Sequence, residues 1–344
     1  MPTTIPQPAS LDSPVKAGRA HFLWSHVVVV LGLHVLSLLV CVPWLFSWTG
    51  VVLCIVGLYA FGTLGINIGF HRLLAHRGFK TPTWFEHVLV TLGVCCLQGT
   101  PGRWVSNHRM HHQFSDEEED PHSPLVSFMW AHFEWLLTEK KQRSWTSTYA
   151  KYAPDIMRDR YYLQMERTAS WLLIFIAHAA VFYAVGFTAG WLLPNGSLVT
   201  GLQLGASVLV WGVIMRTVLV WHITWSVNSL THTSGYRSYE TNDQSRNNWL
   251  VALLAAGEGW HNNHHAQPRC AAAGHRWWEL DPSNWAICAF ALVGLTTDRV
   301  QVRAASEQTL EDATSEDANG EDTNRVDTIG RRATKSNEEL RRAA

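Results

Sequence analysis

Apolar positions in this chain collect into long unbroken runs, with polar, histidine-rich stretches between them. Residues 27–48 (VVVVLGLHVLSLLVCVPWLFSW), 51–70 (VVLCIVGLYAFGTLGINIGF) and 168–193 contain no Asp, Glu, Lys or Arg. Each is long enough for a helix to cross the ~30 Å hydrocarbon layer, which takes about 20 residues. A fourth run, 199–222, holds one charge, Arg216. The 13 residues of 87–99 are too few to span and are expected to lie in the interface or pack against the spans. The pattern predicts an all-α integral membrane protein, in which four transmembrane helices carry a helical cap.

Charge placement orients those helices. The turns after the first and third runs, SWTG and PNGSLVT, have no Lys or Arg, whereas 71–167 includes Arg72, Arg77, Lys80, Arg103, Lys140, Lys141 and Arg143. The positive-inside bias puts that segment, the C-terminal region and both termini in the cytosol. Trp44, Trp48, Trp191 and Trp221 fall near span ends, where indole favours the headgroup level. The six cysteines form no C-x-x-C pair, so neither a disulfide nor a thiolate-metal site is expected. No small-residue cleavage site follows the first run, which reads as a retained span. The formal net charge of −1 carries no polyanion signal, and no nucleic-acid partner is expected. Residues 1–20 read as a flexible arm, 21–303 as one domain, and 304–344 as a disordered tail with seven acidic and no basic residues in 304–324.

The histidines are not scattered. HRLLAH (His71, His76) follows the second run, HRMHH (His108, His111, His112) lies in the long segment, and HNNHH (His261, His264, His265) follows the fourth run. By the topology above all three emerge on one side. With 18 His in 344 residues, one H-x-x-H-H arises by chance in roughly one such chain in twenty and two in roughly one in a thousand. On a helix, spacings of three and four put the first imidazole on the stripe of both later ones, while the adjacent pair diverges by ~100°. One box can therefore serve two neighbouring ions. The five-residue spacing of HRLLAH opens ~140° on an α-helix and suits bracketing a pair of ions. Eight imidazoles exceed the four ligands of a closed zinc site and imply two metals. Imidazole excludes Mg and Ca in favour of Zn, Cu, Fe or Ni. His34, His178 and His222, inside the runs, read as packed or hydrogen-bonded groups.

Across 21–303 the chain resembles the membrane fatty acyl desaturases, in particular their Δ9, stearoyl-type branch. The residues carrying the resemblance are HRLLAH, HRMHHQFSDEEEDPHSP, the stretch from VNSLTH to GWHNNHHAQP, and GHRWWELDPSNW. The resemblance implies a ninth ligand, His232, and a water-mediated metal contact by Asn228. It also implies that Gln98, Trp104 and Thr224 shape a bend in an acyl tunnel. Where acyl-CoA members place polar or charged headgroup contacts, this chain has Gly99, Ser106 and Asn107, which favours acyl chains carried on lipids over CoA thioesters.

The expected reaction is O2-dependent removal of two hydrogens from adjacent methylenes to give a cis double bond. Unactivated methylenes offer no acid-base route, so a redox metal pair is needed and two iron ions are preferred to zinc. Asp116, Asp120, Asp243 and Glu258 are candidates to orient the imidazoles. The chain has no dinucleotide turn, iron-sulfur spacing or fused haem domain, so electrons are expected from a ferredoxin or cytochrome b5-like partner, with Lys140, Lys141 and Arg143 as a candidate docking face. A hydroxylase on the same scaffold is the near alternative. A membrane metal transporter is the distant one, disfavoured because transport sites sit near the bilayer midplane.

Overall fold

The computed structural model describes residues 20–140 and 144–303. The 304–344 tail, most of the N-terminal arm, and the side chains of Lys140, Lys141 and Arg143 lie outside the described residues. The chain divides at Gln301, and the architecture here is that of the unit before it.

A strand β1 (Ala20–Phe22) leads into helix α1 (Trp24–Ser37). Helix α2 (Trp48–Gly57) continues without a break into wider π-helical turns over Leu58–Ala75. Next come α3 (Thr83–Val94), α4 (Pro101–Phe114), α5 (Phe128–His132) and a short strand β2 (Thr138–Lys140), antiparallel to β1 with His21 opposite Glu139. Helices α6 (Trp145–Tyr152) and α7 (Arg160–Arg167) precede α8 (Ser170–Leu192). Helix α9 (Leu198–Leu209) runs through a π-helical segment, Val210–Met215, into α10 (Arg216–Leu230). Three helices close the cap: α11 (Trp249–Leu254), α12 (His261–Ala266) and α13 (Pro282–Leu292).

Four of these helical stretches are long and apolar enough to cross a membrane: Trp24–Cys41, Trp48–Ala75, Ser170–Leu192 and Leu198–Leu230. Their outer faces stay uncovered: Val35 is 66% exposed, Leu173 63% and Val185 62%, so lipid is the solvent that matches them. The first span stops at Cys41, short of the expected residue 48, because Pro43 cannot donate to a continuing helix. The second and fourth run further than expected, to Ala75 and Leu230, and their 28 and 33 residues exceed the about 20 that cross the hydrocarbon. The surplus turns carry the first histidine box and lead to His232. His71 thus lies within the span-two helix itself.

The two hairpin connections meet on the far side. Ser47 caps α2 by accepting from Gly50 N and contacts Ser207 at 2.6 Å. Gln203 donates to the carbonyls of Trp44 and Phe46, and the Ser197–Thr200 capping box starts α9. Trp44, Trp48 and Trp191 are exposed as an interfacial belt requires. Trp221 departs from that expectation. It is 2% exposed, because its indole N–H donates at 2.8 Å to the carbonyl of Cys96 in the core.

The short run around 87–99 forms α3 and packs along the π-helical segment. A Cβ on Gly65 would sit 2.3 Å from Gly93 N, so the two backbones meet there at glycine. Ile66, Phe70 and Leu74 then interlock with Val90, Val94 and Val105 in the main core. That core holds α4, which bears the second box, against the first.

Candidate metal centre

The nine histidines come together as two groups. His71, His76, His108, His112 and His264 form one, and His111, His232, His261 and His265 the other; within each, the ligand-capable nitrogens all lie within 4.8 Å of one another. Each H-x-x-H-H box divides as its helical spacing predicts. His108 and His112, one turn apart, serve the first group while His111 turns to the second. His261 and His265 serve the second while His264 turns to the first.

The first box departs from expectation. His71 and His76 join the same group and do not bracket the pair. The helix is π-wound there, and His76 N donates to His71 O at 3.1 Å, an i to i+5 bond that puts side chains five apart on one face. On α-helical turns the same spacing would separate them by ~140°.

Nitrogen separations have the scale of a coordination shell. His71 Nε2 is 3.0 Å from His264 Nε2, His76 Nε2 2.7 Å from His108 Nε2, and His264 Nε2 2.9 Å from His112 Nε2. In the other group His261 Nε2 is 3.1 Å from His232 Nε2 and 3.0 Å from His265 Nε2. Bonds of about 2.0–2.1 Å from a central ion set neighbouring nitrogens about 3 Å apart.

Proton placement makes a cation the natural occupant. Carboxylates hold the outer nitrogen of four rings: His71 Nδ1 is 2.7 Å from Glu258, His111 Nδ1 2.9 Å from Asp120, His232 Nδ1 3.0 Å from Asp116, and His265 Nδ1 2.6 Å from Asp243. All four acids named from the sequence are thus in contact with a ring. A ring donating from Nδ1 presents a lone pair at Nε2. The second group therefore aims three lone pairs at one point, and only His261 is free to donate. His111 Nε2 is buried without a hydrogen-bond partner. Such convergence is repulsive without a positive ion.

Electrostatics agree. Burial, reinforced by neighbouring imidazoles, holds His76, His108, His112, His261, His264 and His265 well below the ordinary histidine pKa, so they stay neutral and able to coordinate. His111 is the exception: burial opposes its charge, yet the Asp120 carboxylate outweighs burial and raises that ring. Glu258 is buried, and Arg72 and His71 hold it ionised below its usual range.

Sequence reasoning missed the layer behind these acids. Arg72 donates to Glu258 at 2.9 Å, to Asp281 at 2.9 Å and to the Ala271 carbonyl, tying the π-helical segment to the loops on either side of α12 and to the N-cap of α13. Between the ligands of HNNHH, Asn262 accepts from Ser238 N and Tyr239 N, while Asn263 donates to Glu279 and the Ala273 carbonyl. Both are fully buried, which aims the histidines of that short helix the other way. Two amides inside a metal-type box were the available signal. His122, also missed, is buried beside Asp120 and His111, with burial pushing it down to about 3.

A cavity of about 1000 Å³ adjoins the first group, with His108 in its wall. Gln98, Trp104, Thr224 and Asn228 all line it. Gln98 Nε2 donates to Thr224 Oγ1 at 2.9 Å, Trp104 Nε1 donates to Gln98 Oε1 at 3.3 Å, and the Trp104 ring stacks on His108. The histidines inside the spans stay apart from this centre: His34 Nε2 meets His222 Nε2 at 3.1 Å and His222 Nδ1 meets His132 Nε2 at 3.1 Å, a hydrogen-bonded row.

Fold and site together define a mostly helical membrane protein with a histidine-lined centre at one end of its four spans. Residues 43–292 match the fatty acid desaturase family, and the chain belongs to it. It is 37% identical over 284 residues to an sn-2 palmitoyl-lipid 9-desaturase of Nostoc sp., covering 82% of this chain and 92% of that one. It is 38% identical over 275 residues to an sn-1 stearoyl-lipid 9-desaturase of Synechocystis sp., covering 80% and 79%. An acyl-CoA C20 Delta5-desaturase of Anemone leveillei is 39% identical over 297 residues, covering 83% and 88%. The protein is thus an oxidoreductase of fatty acyl chains, and the transporter reading is set aside.

Proposed function

We propose that this chain is an O2-dependent di-iron desaturase that places a cis double bond at Δ9 of a saturated acyl chain carried on a membrane lipid. The observation that carries the reading is the pair of imidazole groups, five and four, beside an acyl-sized cavity. In this reading His71, His76, His108, His112 and His264 would hold one iron and His111, His232, His261 and His265 the other, and Asn228 is the candidate for a water-mediated contact to the centre. Bound iron supplies the reduction of O2 to an oxidant able to take hydrogen from an unactivated methylene. The balance is CH2–CH2 + O2 + 2 electrons + 2 H+ giving CH=CH + 2 H2O, and a ferredoxin or cytochrome b5-like partner supplies the electrons.

The chain's own groups do the positioning. Glu258, Asp120, Asp116 and Asp243 fix ring tautomer and direction. Gln98, Thr224 and Trp104, hydrogen-bonded to one another, form the bend that presents two adjacent methylenes to the centre. Gly99 and Asn107 line the cavity without charge, Ser106 is buried behind its wall, and the two cyanobacterial relatives act on acyl lipids at position 9, which together favour lipid over CoA. The Lys and Arg content of 71–167 favours a cytosolic centre and cytosolic termini. The same reading treats 21–303 as the catalytic domain and its two flanks as extensions. Expression in a host lacking unsaturated fatty acids, followed by lipid profiling, tests it: Δ9-monounsaturated glycerolipids are expected, and a hydroxylated product or none would reject it.

A further inference from the structure

Arg216 is a cation inside the fourth span, 0% exposed, and among the described residues no carboxylate pairs with it. An unpaired charge at that depth is costly and persists only where it satisfies something otherwise unsatisfied. Its contacts identify that something. Both terminal nitrogens donate to the carbonyl of Cys95 at 3.2 Å, its Nε donates to Gly212 O, and its guanidinium lies 4.3 Å from the centre of the Phe61 ring. Gly57 leaves space for its stem, since a Cβ there would come within 3.2 Å of Arg216 Cγ.

Cys95 and Cys96 follow the last turn of α3, where carbonyls lack helical partners and the helix dipole is negative. Arg216 takes the first of these carbonyls and Trp221 the second, at 2.8 Å. The chain then passes through Leu97 at φ 54 and Gly99 at φ 94, a left-handed turn that a leucine adopts only when held there. Gln98 sits in that turn, bonded to Thr224. Residues 216, 221 and 224 of one helix therefore grip three points of the turn from Cys95 to Gln98, and the turn leads directly into α4 with Trp104 and the second histidine box.

We propose that Arg216, assisted by Trp221, is a positioning residue that sets the bend of the acyl cavity and so selects which methylenes reach the metal centre. This rests on the reading of Gln98, Trp104 and Thr224 as the bend. Without the guanidinium the turn relaxes, Gln98 shifts, and the acyl chain slides relative to the centre. The test is to express Arg216→Met, Arg216→Lys and, as a probe of the bend itself, Thr224→Val, and to measure iron per chain, turnover and double-bond position. Arg216→Met is expected to keep wild-type iron, lose on the order of tenfold in turnover, and spread the double bond over neighbouring positions. Arg216→Lys, which retains the cation but not the fork, is expected to fall between Met and wild type. Wild-type iron with an unmoved double bond in Arg216→Met overturns the proposal. If that variant does not accumulate, the same result in Arg216→Lys does so. Movement in Thr224→Val alone defeats the role of Arg216 and leaves the bend standing; movement in neither defeats both.

Discussion

His71 and His264 are 193 positions apart in sequence, yet their Nε2 atoms are 3.0 Å apart. One lies in the last turns of the second span and the other belongs to a six-residue helix in the cap. Their meeting joins the first and third boxes in one group, and Glu258 behind His71 makes the contact directional.

Removing His232 tests the smaller group. His232→Ala is expected to bring bound iron below two per chain and abolish desaturation, because three imidazoles remain where four converged. His222→Ala, ten residues earlier in the hydrogen-bonded row, should keep iron and cost stability alone. Normal iron and product from His232→Ala beside an inactive His264→Ala control would remove His232 from the site.

Glu258→Gln keeps the shape but removes the charge that His71 and Arg72 share. Iron affinity should fall by roughly 10–100-fold, the usual effect of losing a carboxylate behind a metal-bound imidazole. Competition with a graded chelator measures it, and unchanged affinity would make Glu258 a partner of Arg72 alone.

Gly65→Ala sets a Cβ 2.3 Å from Gly93 N, where neither backbone can yield. A loss of about 1–3 kcal/mol is expected, the range for overpacking a tight contact. Thermal inactivation in detergent reads it, and Gly32→Ala, with nothing within 4 Å of the added atom, is the silent control.

Asp155 accepts two bonds from Arg109, at 2.8 and 2.9 Å, and two from Arg77, at 2.9 and 3.2 Å. Burial works against its charge, but the two arginines dominate and hold its carboxyl below the usual range. A depressed carboxyl contributes stability that is full above the unfolded pKa of about 3.9 and is lost as pH falls below it. Asp155→Asn should therefore lower the melting temperature at pH 7 and flatten the acid limb of the stability profile. An unchanged acid limb would show the ion pair to be idle.

Topology is open to labelling. Cysteines or reporters at residues 46–49 and 194–199 should face the outside, and those near 145 and 310 the cytosol. Labels at 145 and 310 on opposite sides would be incompatible with a shared centre.

Much of this protein follows from local pattern alone. Three runs of uncharged residues and a fourth with the single charge Arg216 announce four spans, since a bilayer admits little else at that length. The spacing in HRMHH and HNNHH dictates that the adjacent rings of each box diverge, because helical geometry is a property of neighbours in sequence. Family resemblance added His232, Asn228 and the three residues of the bend. What remained hidden depends on which distant surfaces meet. The pairing of His71 with His76 required π-helical turns, which the close Gly65–Gly93 packing accompanies and which α-helical periodicity cannot forecast. Arg72 looked like a topology signal and proved to be a buried tie between two acids, 186 and 209 positions away. Trp221 looked interfacial and proved to be core, because its one polar atom found a carbonyl that only the end of α3 could offer. Composition and period set the helices and the faces that bear histidine; long-range packing decided which faces converge, and that convergence makes nine separate imidazoles into two groups.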